Sequence, residues 1–217
     1  MGVDQKFYDA SYFETGTSNK KSCYENYRWL PELTIPMAES IVSYLKITKD
    51  QKILDYGCAK GYLVKALRFL KYEAYGVDIS DYALDKIDEE TKKFCKKIDD
   101  NLPNVFNDIY FDWVIAKDVF EHMSVDQIEN MLKSYKNNCK NMFLVIPLGD
   151  NGKYRIEEYH LDQSHVQMND ETWWKSLFER NNWKISSFEY TVNGIKDKWV
   201  DSHERGNGFF TIENYDQ

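Results

Sequence analysis

Short apolar runs alternate with amphipathic stretches along most of the chain. The apolar runs predict strands at residues 52–56, 74–78, 94–98, 113–116 and 142–146. Apolar positions at helical spacing predict helices at 62–71, 82–90, 124–136 and 170–180. Strands that alternate with helices are typical of a doubly wound, mostly parallel sheet, so the predicted fold class is α/β.

The pattern changes at both ends of this series. Apolar runs at 185–192 and 208–212 predict an antiparallel hairpin at the edge of the sheet. Pro36, with apolar residues at helical spacing after it, predicts a helix whose first turn contains that proline. Residues 1–35 lack a clear period but are rich in aromatic side chains, which disordered tails are not. We expect this segment to close over the end of the sheet as a lid, or to pack against the core from outside.

The composition limits the classes of function. A chain of 217 residues has the length of one domain with a substantial core. Its net charge of −8 argues against a nucleic-acid binder, which would normally present a basic face. The four cysteines contain no Cys-x-x-Cys pair, so neither a zinc site nor a disulfide framework is indicated. The sequence has no signal peptide and no bilayer-spanning apolar run, so we expect a cytoplasmic protein. The sequence does not predict the oligomeric state.

The stretch from residue 52 to residue 80 indicates a ligand site. A strand leads into a turn with Gly57 and Gly61, a helix follows, and the next strand ends in Asp78. Glycines let the backbone approach a ligand, and an acid about 20 residues beyond such a turn can accept hydrogen bonds from ribose hydroxyls. Asp55 at the end of the first strand favours a ligand with an ammonium or sulfonium group. The pattern therefore predicts a nucleoside-bearing, cationic cofactor.

The runs LDYGCAKG and GVDIS resemble the first two motifs of class I S-adenosylmethionine-dependent methyltransferases. The resemblance implies a seven-stranded Rossmann-like sheet and S-adenosylmethionine as cofactor. We divide the chain into the N-terminal aromatic lid over 1–35 and a cofactor-binding methyltransferase domain over 36–217, with an insertion at 149–167 as the substrate loop. Ala59 departs from the family, which usually has glycine there. The cofactor-binding residues that the resemblance implies are Asp55, Tyr56, Gly57, Cys58, Gly61, Asp78, Ile79, Asp99 (or Asp100) and Lys117.

A second constellation follows the strand at 113–116. If Asp118 opens a helical turn, then Asp118, Glu121 and His122 share one face and could bind a divalent cation. The stretch resembles the Glu-x-x-Glu-His motif of small-RNA terminal 2′-O-methyltransferases, which use a metal, and of ubiquinone-pathway O-methyltransferases. Asp118 is shorter than the first glutamate of that motif. We therefore predict that no metal is bound. If one is, the candidate ligands are Asp118, Glu121, His122 and His165.

The insertion before the helix at 170–180 carries His165. Its HVQMNDETWW end resembles a signature of small-molecule methyltransferases, which implies that His165 faces the substrate. A histidine with a pKa near neutrality can take the proton from a hydroxyl as the methyl group is transferred. We predict methyl transfer to a hydroxyl or amine of a small molecule such as a sugar, nucleotide sugar or metabolite, with His165 and Asp118 as catalytic residues. The alternatives are metal-assisted RNA 2′-O-methylation and a binding module without catalysis.

Overall fold

A seven-stranded sheet forms the centre of the computed structural model, which describes residues 4–215. The strands of the chain are β1 (Lys52–Tyr56), β2 (Glu73–Asp78), β3 (Cys95–Lys97), β4 (Phe111–Lys117), β5 (Cys139–Pro147), β6 (Gly149–Asp150), β7 (Lys153–Tyr154), β8 (Trp183–Glu189) and β9 (Asn207–Asn214). The order in the sheet is β3-β2-β1-β4-β5-β9-β8, and β6 pairs with β7 separately. Strands β1 to β5 are parallel, whereas β9 is antiparallel to both neighbours. The predicted fold class and terminal antiparallel pair are confirmed.

Helices cover both faces of the sheet. They are α1 (Ala10–Glu14), α2 (Pro31–Tyr44), α3 (Tyr62–Phe69), α4 (Asp81–Asp85), α5 (Glu89–Lys92), α6 (Val125–Ser134), α7 (Glu171–Arg180) and α8 (Asp197–Val200). Successive side chains of a strand point to opposite faces. In β5, Met142 and Leu144 pack with the residues of α6 and α7, while Phe143 and Val145 pack with those of α2 and α3. The core therefore has two layers, one on each side of the sheet.

Two predicted helix boundaries are wrong. Helix α2 begins five residues before the predicted proline, with Pro31 in its first turn and Pro36 inside the helix. The helix predicted at 82–90 is two helices, because Asp88 adopts an extended conformation and its side chain accepts a hydrogen bond from the Thr91 N–H. Asp88 is thereby an N-cap, a role that aspartate favours over a place in a helix interior.

The N-terminal segment lies over the carboxyl end of the sheet. Within residues 4–35, Tyr12 and Phe13 are buried and cluster with Ala83 of α4. The segment also contacts the insertion, since the Gln163 N–H donates to the carbonyl of Lys21. The first three residues of the predicted lid, and the last two of the predicted domain over 36–217, lie outside the described residues. Between residues 4 and 215, no helix combines the length and the apolar character needed to cross a membrane.

Candidate active site

The turn after β1 has a left-handed backbone at three positions. The φ angles are +82° at Gly57, +47° at Ala59 and +71° at Gly61. A Cβ at position 57 would clash with Val119, which follows β4, so only glycine fits there. Gly61 is the N-cap of α3 and lines neither cavity described below. Gly61 was predicted to bind the cofactor. In the structure it shapes the turn instead of lining a cavity.

Asp78 lies at the end of β2 beside this turn. Its carboxylate accepts hydrogen bonds from the backbone N–H of Ala59 at 2.7 Å and of Ser80 at 2.8 Å. Burial raises the pKa of Asp78, and these hydrogen bonds oppose the rise. Burial and the charge of Asp78 together raise the pKa of Asp55 to about 7, with Lys117 opposing. Two buried carboxyl groups therefore lie close together, and a cation bound between them would stabilise their charged forms.

A cavity of about 130 Å³, which we call the Asp78 cavity, lies between the carboxyl-end rim of the sheet and the N-terminal segment. It contains several residues predicted to bind the cofactor together with aromatic residues of the segment. These are Tyr56, Gly57, Asp78, Ile79 and Asp99 on the sheet side, and Tyr8, Tyr12, Phe13 and Tyr24 on the other. Asp99 and Asp100 both line it. Oδ1 of Asp99 accepts the backbone N–H of Asn101 and Leu102, whereas Oδ1 of Asp100 accepts the side chain of Gln127.

The prediction that Asp118 opens a helical turn is wrong. Asp118 has a left-handed φ of +56°, and a 3₁₀ turn begins only at Phe120. Its carboxylate forms ion pairs with Lys117 and with Lys196, which lies in the connection between β8 and β9. The two lysines hold the pKa of Asp118 well below its usual range despite burial. Asp118 is therefore occupied by cations of the chain itself, which leaves it unsuited to bind a metal or take up a proton.

Glu121, His122 and His165 form a cluster instead. One oxygen of Glu121 and one nitrogen of each imidazole all lie within 4.8 Å of one another. Glu121 is fully buried, and neither of its carboxylate oxygens has a hydrogen-bond partner among the described residues. Burial raises the pKa of Glu121 well above its usual range. A buried polar group without a partner is costly, so this carboxyl group requires a proton or a bound cation.

His165 has a defined tautomer in this cluster. Its Nδ1 lies 2.8 Å from the carbonyl oxygen of Tyr159. A carbonyl only accepts, so Nδ1 carries the hydrogen and Nε2 keeps its lone pair. Burial and the neighbouring His122 lower the pKa of His165 to about 4. The expected pKa near neutrality is therefore wrong, and His165 is neutral at pH 7.

A larger cavity of about 570 Å³, which we call the His165 cavity, adjoins the Asp78 cavity. The two share Gly57, Asp118 and His122 in their walls. Five of the predicted site residues that line the larger cavity are absent from the lining of the smaller one: Asp55, Cys58, Lys117, Glu121 and His165. The wall of the larger cavity also contains the cationic side chain of Arg28 and the aromatic side chains of Tyr27, Tyr159 and Trp199. The arrangement can hold one ligand at the turn and a second beside it.

A family model described as a methyltransferase domain matches residues 33–187. The chain belongs to this family. It is an S-adenosylmethionine-dependent methyltransferase, and the glycine turn and Asp78 stand where the sequence motifs for that cofactor predicted them. The predicted non-catalytic alternative is thereby set aside. No curated protein sequence matches the chain significantly.

Solved methyltransferase structures share the fold at low sequence identity. An S-adenosylmethionine-dependent methyltransferase from Archaeoglobus fulgidus is 15% identical, with a TM-score of 0.61 over 85% of this chain and 95% of that one. Magnesium protoporphyrin IX methyltransferase from Synechocystis PCC 6803, with bound SAH, is 14% identical, with a TM-score of 0.62 over 97% and 100%. The methyltransferase domain of bacterial CtHen1-C is 16% identical, with a TM-score of 0.57 over 84% and 98%.

The sequence did not indicate several residues of this methyltransferase site. Lys196 reaches Asp118 from a polar connection with no motif, 78 positions away. Asp162 and Ser164 lie in the predicted substrate loop, but only the fold brings them to Tyr12 and His122. A polar residue in a loop gives no sequence signal of such a distant partner, so these contacts could be found only in the structure.

Proposed function

We propose that this methyltransferase transfers the methyl group to a hydroxyl or amine of a small molecule bound in the His165 cavity. The observation that carries the proposal is the common wall of the two cavities at Gly57, Asp118 and His122. An acceptor in the larger cavity would meet a cofactor whose adenosine half occupies the smaller one. Methyl transfer depends mainly on such alignment of nucleophile, methyl carbon and sulfur.

The proposed cofactor pose uses the two buried carboxyl groups. Each oxygen of Asp78 accepts one backbone N–H and retains acceptor capacity, which would serve the ribose hydroxyls. The methionine half would lie along the turn, with its ammonium group near Asp55 and its carboxylate near Lys117. A cation beside Asp55 would lower the raised pKa of that group, so cofactor binding would release protons near pH 7.

His165 is the proposed general base for a hydroxyl acceptor. It lines the larger cavity with Nδ1–H bound to Tyr159, and the lone pair on Nε2 supports this role. Because its pKa is lowered, His165 is a weak base, but it is unprotonated at neutral pH and can accept a proton there. An amine acceptor that is already deprotonated would need no base, and the same cavity would then act by alignment alone.

The test is transfer of labelled methyl groups from S-adenosylmethionine to a panel of phenols, sugars, nucleotide sugars and amines. With a hydroxyl acceptor, we expect His165→Ala to reduce kcat by roughly 10²–10⁴-fold, the usual contribution of general-base catalysis. Affinity for S-adenosylhomocysteine serves as the control and should change little. Full turnover of His165→Ala at saturating acceptor would remove the base assignment.

Metal-assisted RNA 2′-O-methylation is the second candidate, and the Glu121, His122 and His165 cluster favours it. Two imidazoles and a carboxylate form a donor set that suits a divalent first-row metal. Glu121 would contribute its unpartnered oxygens, and the ion would polarise hydroxyls bound to it. Against this candidate stand the net charge of −8 and the occupation of Asp118 by two lysines.

Chelation separates the two candidates. We expect methyl transfer to small acceptors to persist after exhaustive treatment with EDTA. Loss of activity that Mn²⁺ or Mg²⁺ restores would favour the metal-assisted candidate, as would methylation of the 3′ end of a short RNA in the panel. Glu121→Gln gives an independent readout, because it should weaken binding of Mn²⁺ itself if the cluster is a metal site.

A further inference from the structure

A buried chain of hydrogen bonds runs from the N-terminal segment to His122. The hydroxyl of Tyr12 in α1 donates to Oδ2 of Asp162 at 2.8 Å. Oδ1 of the same carboxylate accepts the Ser164 N–H at 2.9 Å and also the Ser164 hydroxyl. The oxygen of that hydroxyl lies 2.8 Å from Nδ1 of His122. Tyr12, Asp162 and Ser164 are all buried, so bulk water has little access to these groups.

The direction of each hydrogen bond in this chain follows from the donors. A carboxylate only accepts, so Ser164 uses its single hydroxyl hydrogen on Asp162. The oxygen of Ser164 can then only accept from His122, which places the hydrogen of the imidazole on Nδ1. The other ring nitrogen, Nε2, keeps its lone pair. Free neutral imidazole side chains prefer the opposite tautomer, with the hydrogen on Nε2, so the protein must impose this one.

We propose that Asp162 and Ser164 are positioning residues that hold His122 in its Nδ1–H tautomer, with the Nε2 lone pair available beside Glu121 and His165. Only the use of that lone pair, to orient an acceptor hydroxyl or to ligate an ion, rests on the proposed function. His165 is held in the same tautomer by a different partner, the carbonyl of Tyr159. The two imidazoles, whose ring centres are 4.6 Å apart, thus both present acceptor nitrogens to the site.

Such outer hydrogen bonds matter in other sites because they fix the tautomer and ring orientation of a functional histidine. Here the insertion supplies them in a compact arrangement. The backbone N–H groups of Val166 and Gln167 both donate to the carbonyl of Glu121. These hydrogen bonds attach the insertion to the 3₁₀ turn that carries His122. Ser164 is consequently held opposite that ring by backbone contacts as well as by Asp162.

Nuclear magnetic resonance of protein labelled with ¹⁵N-histidine tests the proposal directly. Two-bond proton–nitrogen correlations at pH 7.5 distinguish the two neutral tautomers, and the chain has only four histidines to resolve. His122→Gln assigns the resonance by its disappearance. We expect the Nδ1–H form in the wild type. In Ser164→Ala, which removes the oxygen that accepts from Nδ1, His122 should shift to the Nε2–H form.

Two substitutions at Asp162 form a matched pair. Asp162→Asn keeps an acceptor oxygen opposite Ser164, so His122 should stay in the Nδ1–H form. Asp162→Ala removes that oxygen and frees the Ser164 hydroxyl to donate to His122, which should admit the Nε2–H form. Melting temperatures show whether each variant is folded, and Ser164→Ala decides alone if Asp162→Ala does not fold.

Three results would overturn the proposal. They are an Nε2–H tautomer in the wild type, an unchanged Nδ1–H tautomer in folded Ser164→Ala, and a changed tautomer in folded Asp162→Asn. The spectra require no acceptor and no turnover. Failure to find methyl transfer would therefore leave this test intact, and a failed test here would leave the proposed methyl transfer standing.

Discussion

Ala59 carries backbone strain at the cofactor turn. Its φ of +47° lies in the left-handed region, which costs an L-residue with a Cβ roughly 1–2 kcal/mol. The hydrogen bond from its N–H to Asp78 at 2.7 Å holds the residue in that conformation. The strain explains in physical terms why the related family usually has glycine at this position.

We therefore expect Ala59→Gly to stabilise the protein. Glycine removes the steric cost but adds chain entropy in the unfolded state, which offsets about 0.4–1 kcal/mol of the gain. The net increase in the free energy of unfolding should be up to about 1.6 kcal/mol, measured by urea denaturation. Ala66→Gly is the control, because Ala66 lies inside α3 and its replacement should instead destabilise by about 1 kcal/mol or more. Equal losses in both variants would contradict strain at position 59.

The lowered pKa of His165 predicts a pH dependence of stability. With a folded pKa of about 4 and an ordinary value of 6.5, the unfolded state binds more protons between these pH values. The contribution of His165 to the free energy of unfolding therefore rises from pH 4 to pH 6.5, by at most roughly 3 kcal/mol. Asp55, with its pKa raised to about 7, acts in the opposite sense. The comparison must therefore be made against a variant.

His165→Gln isolates this effect because glutamine does not titrate and Asp55 is present in both proteins. We expect the wild type to gain stability relative to His165→Gln as the pH rises from 4.5 to 7.5, measured by urea denaturation at each pH. A stability difference that does not change with pH would show that His165 titrates normally in the folded protein.

At the scale of elements, the N-terminal segment is tied to the cofactor turn by Lys60. The side chain of Lys60 is buried, forms an ion pair with Glu14 and donates to the carbonyl of Tyr27 at 2.6 Å. Glu14 also accepts the hydroxyl of Tyr82 at 2.8 Å. Two separate positions of the segment, Glu14 and Tyr27, thus contact one residue of the turn, so a change at Lys60 should release the segment while the sheet stays intact.

We expect Lys60→Met to increase hydrogen exchange of backbone amides between residues 8 and 30, with little change in the sheet. Lys60 is buried whereas Glu14 is one-third exposed, so the expected loss comes mainly from the two contacts that the Lys60 ammonium group makes with the segment. A fully exposed ion pair contributes little by comparison. Lys97→Met is the matched control, because Lys97 pairs with Asp81 on the surface. Unchanged exchange in folded Lys60→Met would show that aromatic packing alone holds the segment.

The elements also show what sequence patterns can and cannot establish. Apolar runs located the central strands, and glycines located the turn after β1, because buried parallel strands and tight turns leave local signals. The same patterns missed the break at Asp88 and the start of α2, where a side-chain cap or a second proline decides the boundary. They also placed Asp118 on a helix, since nothing nearby in the sequence indicates that Lys196 pairs with it. The sequence predicts elements that depend on neighbouring residues, but it does not predict contacts between residues that are distant along the chain.

At the scale of the whole molecule, the N-terminal segment and the sheet enclose the Asp78 cavity between them. Tyr8, Tyr12, Phe13 and Tyr24 form one wall, and the rim of the sheet forms the other. A ligand in this cavity would contact both parts. We propose that the segment is a lid, so the cofactor can enter or leave only when the segment opens.

Limited proteolysis tests this coupling through the equilibrium between closed and open forms. If S-adenosylhomocysteine binds only the closed form, saturation at 100 times its dissociation constant stabilises that form by about 2.7 kcal/mol. Trypsin cleavage after Lys20 and Arg28 should then slow by roughly 100-fold, because cleavage follows the population of the open form when reclosing is fast. Cleavage after Lys46, in the turn that follows α2, is the internal control and should slow far less. Equal protection at all three sites would mean that the ligand stabilises the whole fold and that the segment only covers the core. Protection confined to Lys20 and Arg28 would support a segment that opens and closes independently of the sheet.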